Sequence, residues 1–429
     1  MSENRNPPLL GYTDRLSARP NDVVQVQVSS YLEGDFEAGL VRIICADPNP
    51  EGTGLIEEGV ACDFAGRYPS RIQPFPPGSC MHVSLPPETA LPVEFTVVAM
   101  IWPTRPDSGP QVVLSMESNS SHAPFILGLD ATGRPTVRVR MSDGNWTECC
   151  LPNPVNERRW TRLWASFSQS LGELSVGVSQ DGIDDIASTA FTGSTNLSNQ
   201  IISSIVVAAC DQGKRRMHFN GKIERPTIYS AQLGPDMLID SAEVTTAPVF
   251  ACWDFSKEIS SKHVIDTGVN ELHGTLVNYP ARAMTGANWD GSEMCWRHAQ
   301  QQYGAIRFHE DDIYDFEWET DFSFTVPKDL RSGIYGIRLK HGKYHDMIPL
   351  FVCPPLGQRT SRLCLLVSTF TYTIYGNHAR PDYEASWQDK ITAWGAYPWN
   401  PAQYPHYGCS TYNFHSDRSG ICHASHRRP

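Results

Sequence analysis

Beyond residue 370 the chain gathers side chains that can hold a metal or a small substrate: Tyr372, Tyr375, His378, Tyr383, Trp387, Trp394, Tyr397, Trp399, Tyr404, His406, Tyr407, Tyr412, His415, His423 and His426. Two chemistries compete for them. Zinc would take imidazole nitrogen, and His406, His415, His423 and His426 are the right ligand type, but the His-x2-His pair sits in irregular chain and its spacing specifies little. A hard ferric ion would instead take phenolate oxygen; tyrosine, with an ordinary pKa of ~10, becomes a ligand at neutral pH only where a strong Lewis acid displaces its proton. The ordinary fate of a tyrosine is burial with its hydroxyl hydrogen-bonded. Motifs for other reactions (G-x-S-x-G, H-E-x-x-H, a P-loop, G-x-G-x-x-G before a helix) are absent from the sequence.

The element expected to position these groups is the apolar run Leu363-Cys364-Leu365-Leu366-Val367-Ser368, which has the signature of a strand buried on both faces in a parallel sheet. Ligands of such sheets bind outside the carboxyl ends of the strands, which makes Tyr372 to Asn377 the best-placed site segment. The remaining stretch to Pro429 is rich in Gly, Pro, Tyr, Trp and His without an amphipathic helix, so residues 355–429 are expected to be the truncated start of an α/β (flavodoxin/amidotransferase-like) domain.

Upstream the pattern is β. Residues 1–88 read as a β entry segment, with Val24, Val26 and Val28 alternating and 40–45 forming a second strand before the turn Asp47-Pro48-Asn49-Pro50. From 89 to 256 short period-2 strands split by Gly, Asp and Asn turns indicate an antiparallel sandwich of two sheets. Its phrase Phe219-Asn220-Gly221-Lys222-Ile223-Glu224-Arg225-Pro226 resembles the closing strands of a concanavalin/laminin-G-like jelly roll. Residues 257–299 read as a loop-rich connector, and 300–354 as an immunoglobulin-like β module. Glu310, Asp311, Asp312, Asp315, Glu317, Glu319 and Asp321 crowd its start; without D-x-D-x-D-G ligand spacing, they read as a solvated face.

Composition narrows the function. The net charge of −12, with no basic run longer than Lys214-Arg215-Arg216, argues against nucleic acid and against an anionic membrane. No apolar run approaches the ~18 residues needed to cross a bilayer, and the N-terminus lacks a leader's apolar core, so a cytoplasmic location is expected. The twelve cysteines show no C-x-x-C and are expected as thiols. Gly and Pro, at 32 each, form ~15% of the chain against a usual ~12%, which implies dense turns and few helices. The sequons at Asn119, Asn145 and Asn196 have no use in that compartment.

A collinear series of motifs is similar to the large (beta) subunit of the N,N-dimethylformamidase family. It comprises Gly11-Tyr12-Thr13-Asp14-Arg15, Trp253-Asp254-Phe255-Ser256, Asn288-Trp289-Asp290-Gly291, Tyr303-Gly304-Ala305-Ile306-Arg307-Phe308-His309-Glu310-Asp311, Ser368 to Asn377 and Tyr407-Gly408-Cys409-Ser410-Thr411-Tyr412. The resemblance implies an amide hydrolase acting on small linear amides, with one Fe(III) held by two tyrosines and a glutamate. The tyrosines map to Tyr375 and Tyr412, with Tyr372, Asn377 and His415 as possible lining residues. The family's glutamate ligand and acid/base residues lie in sequence beyond Pro429, so this chain resembles the N-terminal portion, is expected to hold Fe(III) only if the missing ligand is supplied, and is expected to be inactive alone. A small companion subunit and oligomerisation are also implied. A different class of function, a non-catalytic carbohydrate- or protein-binding sandwich using Trp146 or Trp160 as a platform, is the alternative.

Overall fold

The computed structural model describes residues 6–87, 91–118, 123–195, 197, 202–211, 215–239, 247–380 and 382–429; the sequons at Asn119 and Asn196 fall outside them. The chain is mainly β and folds as two compact units, each assembled from more than one stretch of sequence. One comprises Met1–Phe75, Ile313–Phe414 and Gly420–Pro429; the other, Pro76–Asp312 and His415–Ser419.

The second unit is the jelly-roll sandwich. Its strands carry period-2 faces: in Glu94–Pro103, Phe95, Val97, Ala99 and Ile101 point into the core, opposite Phe167, Ala165 and Leu163 of Thr161–Ser168. The facing sheet contributes Val113, Met116, Phe125 and Leu127, and the aromatic layer is closed by Phe95 packing edge-to-face on Phe125. The stretch 257–299, expected as a connector, contains the strands His263–Asp266, Gly274–Val277 and Ala281–Met284. Four-residue strands are too short to show periodicity. They are fixed instead by buried Asp266, whose carboxylate accepts from the backbone N–H groups of Cys252, Gly268 and Leu272 at 2.7–2.8 Å. Strand Ala305–Phe308 pairs with Gly221–Tyr229, so the sequence up to Asp312 belongs with this sandwich.

The first unit joins the β entry segment to the immunoglobulin-like module through strand pairing. Leu9–Thr13, Val23–Ser30 and Phe322–Thr325 form one sheet; Asp35–Ala46, Gly333–His341 and Tyr344–Val352 form the centre of the other. Val24, Val26, Val28, Phe324, Ile337, Leu339 and Ile348 meet between them. At Gly11 a Cβ would lie 2.7 Å from Ile348 Cδ1 and 2.9 Å from Leu339 Cδ1, so the missing side chain leaves room for these buried methyl groups. Gly11 N–H donates to Oδ2 of Asp346, a buried carboxylate in strand Tyr344–Val352.

Two sequence readings are corrected. Residues 363–367 form no strand: Leu363, Leu365 and Leu366 are exposed, 91% at Leu366, and lead into helix Thr369–Tyr375. A doubly buried strand needs neighbours on both edges, and among the described residues no strand follows Val352. The acidic crowd is not one solvated face. Asp312 is buried, and Asp321 accepts from Val28 N–H and pairs with Arg71 at 2.9 Å.

Candidate functional site

Helix Thr369–Tyr375 ends at Gly376, and the next residue, Asn377, takes a left-handed conformation (φ 57°) that turns the chain back. Tyr375 is therefore the last helical side chain before a sharp corner. The second tyrosine stands in the turn 410–413, where Ser410 Oγ accepts from Tyr412 N–H at 3.0 Å. The two segments are laced together. Asn413 donates to the Ala379 carbonyl at 2.6 Å and accepts from Ala379 N–H at 3.0 Å; His378 Nδ1 contacts Ser410 Oγ at 3.2 Å; Thr411 N–H donates to the Ile374 carbonyl.

This lacing stacks Tyr375 on Tyr412 with ring centroids 4.4 Å apart and planes 20° from parallel. His378 meets both rings edge-on, at 5.9 and 6.2 Å. The neighbouring Tyr412 hydroxyl pushes the Tyr375 phenol above the ordinary value. Both rings are about half exposed. Among the described residues no carboxylate makes a hydrogen bond or ion pair to either phenol.

Arg428 is the staple behind the pair. Its buried guanidinium donates to the carbonyls of Gly376 (3.2 Å), Cys409 (3.0 Å) and Ser425 (3.2 Å), so one side chain grips both tyrosine-bearing segments. Burial pushes this guanidinium down to about 10. Gly408 (φ 84°) makes room for it, since a Cβ there would run into Nη1. Asn377 donates to the carbonyl of Pro429 at 3.0 Å.

Tyr372 and Asn377 line a cavity of about 340 Å³ with Tyr12, Asp346, Tyr397 and Arg428. Burial pushes the Asp346 carboxyl up to about 6, against the opposing hydrogen bonds from Gly11 and Met347 N–H and from Tyr397. Tyr397 is forced upward by burial and by that carboxylate.

His415 lies in the other compact unit. It belongs to a buried polar cluster with His309, Asp311, Asp312 and Asp417, a group that the sequence does not reveal. The one signal for it is the acidic crowd beside His309, because Asp311 and His415 stand 104 positions apart. The histidines grouped by sequence bond elsewhere: His406 Nε2 contacts the Asn6 side chain and His426 Nε2 the Asp14 carbonyl. The tryptophans considered as platforms are faced by the protein's own cations, Trp146 by Arg140 at 5.2 Å and Trp160 by Lys222 at 5.3 Å.

The chain is similar to known proteins in fold and in sequence. In fold, the chain is similar to the sialidase carbohydrate-binding module CBM40 of Ruminococcus gnavus (20% identity, TM-score 0.32, covering 39% of this chain and 92% of that one). It is likewise similar to the LG1-3 region of the laminin alpha2 chain (12% identity, TM-score 0.30, covering 42% of this chain and 34% of that one). The N,N-dimethylformamidase beta subunit of Paracoccus aminophilus is 32% identical over 455 aligned positions, which cover 98% of this chain and 59% of that protein. The corresponding subunit from an Alcaligenes species is 30% identical, with the same coverages. The chain thus spans about three-fifths of the length of these relatives. Residues 281–429, which carry both tyrosines, match the family described as "N,N-dimethylformamidase beta subunit-like, C-terminal".

Proposed function

We propose that this chain is part of a hydrolase of small linear amides, splitting a formamide into formate and an amine, and that Tyr375 and Tyr412 are two ligands of its mononuclear ferric ion. The observation that carries this reading is the contact of two half-exposed tyrosines, 4.4 Å between ring centroids, on the segments matched to the family. Phenolate oxygens are the hard donors ferric iron prefers. When bound, the ion would polarise an amide carbonyl and acidify a water.

The chain's own residues hold the ligands in place. Arg428, Asn413 and Ser410 fix the two backbone corners, and His378 packs against both ring edges. A phenol, with an ordinary pKa of ~10, stays protonated at neutral pH until a Lewis acid displaces its proton. The third, carboxylate ligand and the acid/base residues are assigned to sequence present in the longer relatives, and a small companion subunit completes the enzyme. Residues 1–429 alone are therefore expected to release no amine.

Ferric ion added to the purified chain with acetate, which can stand in for the missing carboxylate ligand, should give a visible phenolate-to-iron charge-transfer band. Tyr375→Phe and Tyr412→Phe should each abolish most of its intensity while leaving far-UV circular dichroism unchanged. An unaltered band in both variants would remove these tyrosines from the metal. Amine released from N,N-dimethylformamide by the isolated iron-loaded chain would refute the need for further residues.

A further inference from the structure

The buried cluster of the jelly-roll unit has the make-up of a second metal centre. His309 follows strand Ala305–Phe308, Asp312 closes the next turn, and His415 opens the short segment His415–Ser419. Their ligand atoms all lie within 4.8 Å of one another, and all three residues are buried. Oδ2 of Asp312 is already engaged: Ser79 Oγ donates to it at 2.6 Å, His309 N–H at 3.1 Å, and His309 Nδ1 lies at 3.2 Å. Oδ1 faces His415 Nε2 at 3.6 Å, too long for a hydrogen bond. That gap suits two ligands of one ion, since bonds of ~2.0–2.2 Å in a tetrahedral set leave donors roughly 3.3–3.6 Å apart.

The surroundings are those of a metal's outer shell. Ligating histidines characteristically hand their other nitrogen to a carboxylate. Here His415 Nδ1 meets Asp311 Oδ1 at 2.8 Å, and His309 Nε2 meets Ser419 Oγ at 3.0 Å and Asp417 Oδ2 at 3.6 Å. Asp311 is in turn held by Ser416 N–H, and Asp417 by Arg307 at 2.9 Å. With both imidazoles neutral, as ligands must be, the three carboxylates and the one guanidinium leave two negative charges, which one divalent cation balances. The imidazole rings stack at 3.8 Å, 7° from parallel, so ligation would splay them by side-chain rotation.

We propose that His309, Asp312 and His415 form a structural site for one divalent transition-metal ion of the zinc class, which clamps His415–Ser419 to the turn after strand Ala305–Phe308. The site shares no residue with the tyrosine pair and stands or falls apart from it.

The test is a titration of the chelator-stripped full chain with Zn2+ and Co2+ at pH 8, followed by calorimetry and by the visible Co2+ bands. The Tyr375→Phe/Tyr412→Phe double variant should bind one equivalent of Zn2+ with sub-micromolar Kd, as should the unsubstituted chain. His415→Gln should weaken binding at least 100-fold, and Asp311→Asn, which removes only an outer partner, by roughly 10- to 100-fold. Absence of saturable binding in the double-tyrosine variant, a measurement free of any folding question at the site, would overturn the proposal. So would unchanged affinity in a folded His415→Gln protein; the cluster would then be a network of protonated histidines and aspartates.

Discussion

Asp346 is a carboxylate whose environment sets a measurable pH dependence. Burial raises its folded pKa to about 6, whereas in the unfolded chain it titrates near ~3.9. The native state therefore binds this proton more tightly, and the group's charged form costs stability at neutral pH. That cost vanishes as pH falls from about 6 to about 4. Relative to Asp346→Asn, the unsubstituted protein should gain on the order of 2 kcal/mol between pH 7 and pH 4, read from urea midpoints of the two proteins. A constant difference would mean the carboxyl is not buried in solution. The comparison cancels groups of opposite sense such as Asp417, held far below the usual carboxylate range by His309 and Ser419 despite its burial.

Gly408 and Arg428 are a second residue-scale case. Gly408→Ala forces a side chain into a left-handed backbone and against the guanidinium. A loss of about 2 kcal/mol or more is expected in thermal or urea unfolding. The same variant should shift the ferric charge-transfer band, because Arg428 holds both tyrosine segments. Gly11, Gly408 and the Ser410/Thr411/Tyr412 run are visible in the sequence as motif residues. The reasons for the two glycines, buried methyl groups beside Gly11 and a guanidinium passing Gly408, are not, since each depends on a side chain tens or hundreds of positions away.

At the scale of elements, period-2 strands are the most legible feature, because alternation records which face is buried. Strand Val23–Ser30 carries the alternation of Val24, Val26 and Val28, and Asp35–Ala46 contains the run at 40–45. The run 363–367 is the least legible: local pattern cannot say whether neighbours exist to cover a strand. Its exposure in the described structure makes a clear prediction. Leu366→Asp should change the stability of this chain by less than ~0.5 kcal/mol, as at an ordinary surface position, and should diminish bis-ANS fluorescence by removing part of an accessible apolar surface. A loss of several kcal/mol would show that the segment is packed after all. The helix Thr369–Tyr375, in contrast, is unreadable as a helix, being rich in Thr, Tyr and Phe and lacking a buried face.

For the whole molecule, the division into units departs from the linear order of segments. The sandwich core between Phe95 and Phe308 is drawn almost wholly from one continuous stretch. A fragment spanning 76–312 should therefore fold with a cooperative thermal transition and a β-type circular dichroism spectrum. Residues 1–75 alone should not, because Val23–Ser30 and Asp35–Ala46 take their partners from Phe322–Thr325 and Gly333–His341. A folded 1–75 peptide would contradict this pairing. No helix of the described residues is long and apolar enough to cross a membrane. The family resemblance is legible because its motifs run the length of the chain; the His309–His415 cluster is not, because its members come from two ends of a unit that closes only in three dimensions.

That interrupted first unit also sets an order of events during synthesis. Its opening strands leave the ribosome with their hydrogen-bonding edges unmatched, and roughly 290 residues must be added after Val23–Ser30 before Phe322–Thr325 emerges. At about 5–20 residues per second this is a wait of roughly 15 to 60 s. The intervening sandwich has time to fold first. The nascent N-terminus, meanwhile, is the part of this polypeptide most exposed to chaperone capture and to mispairing with neighbouring chains.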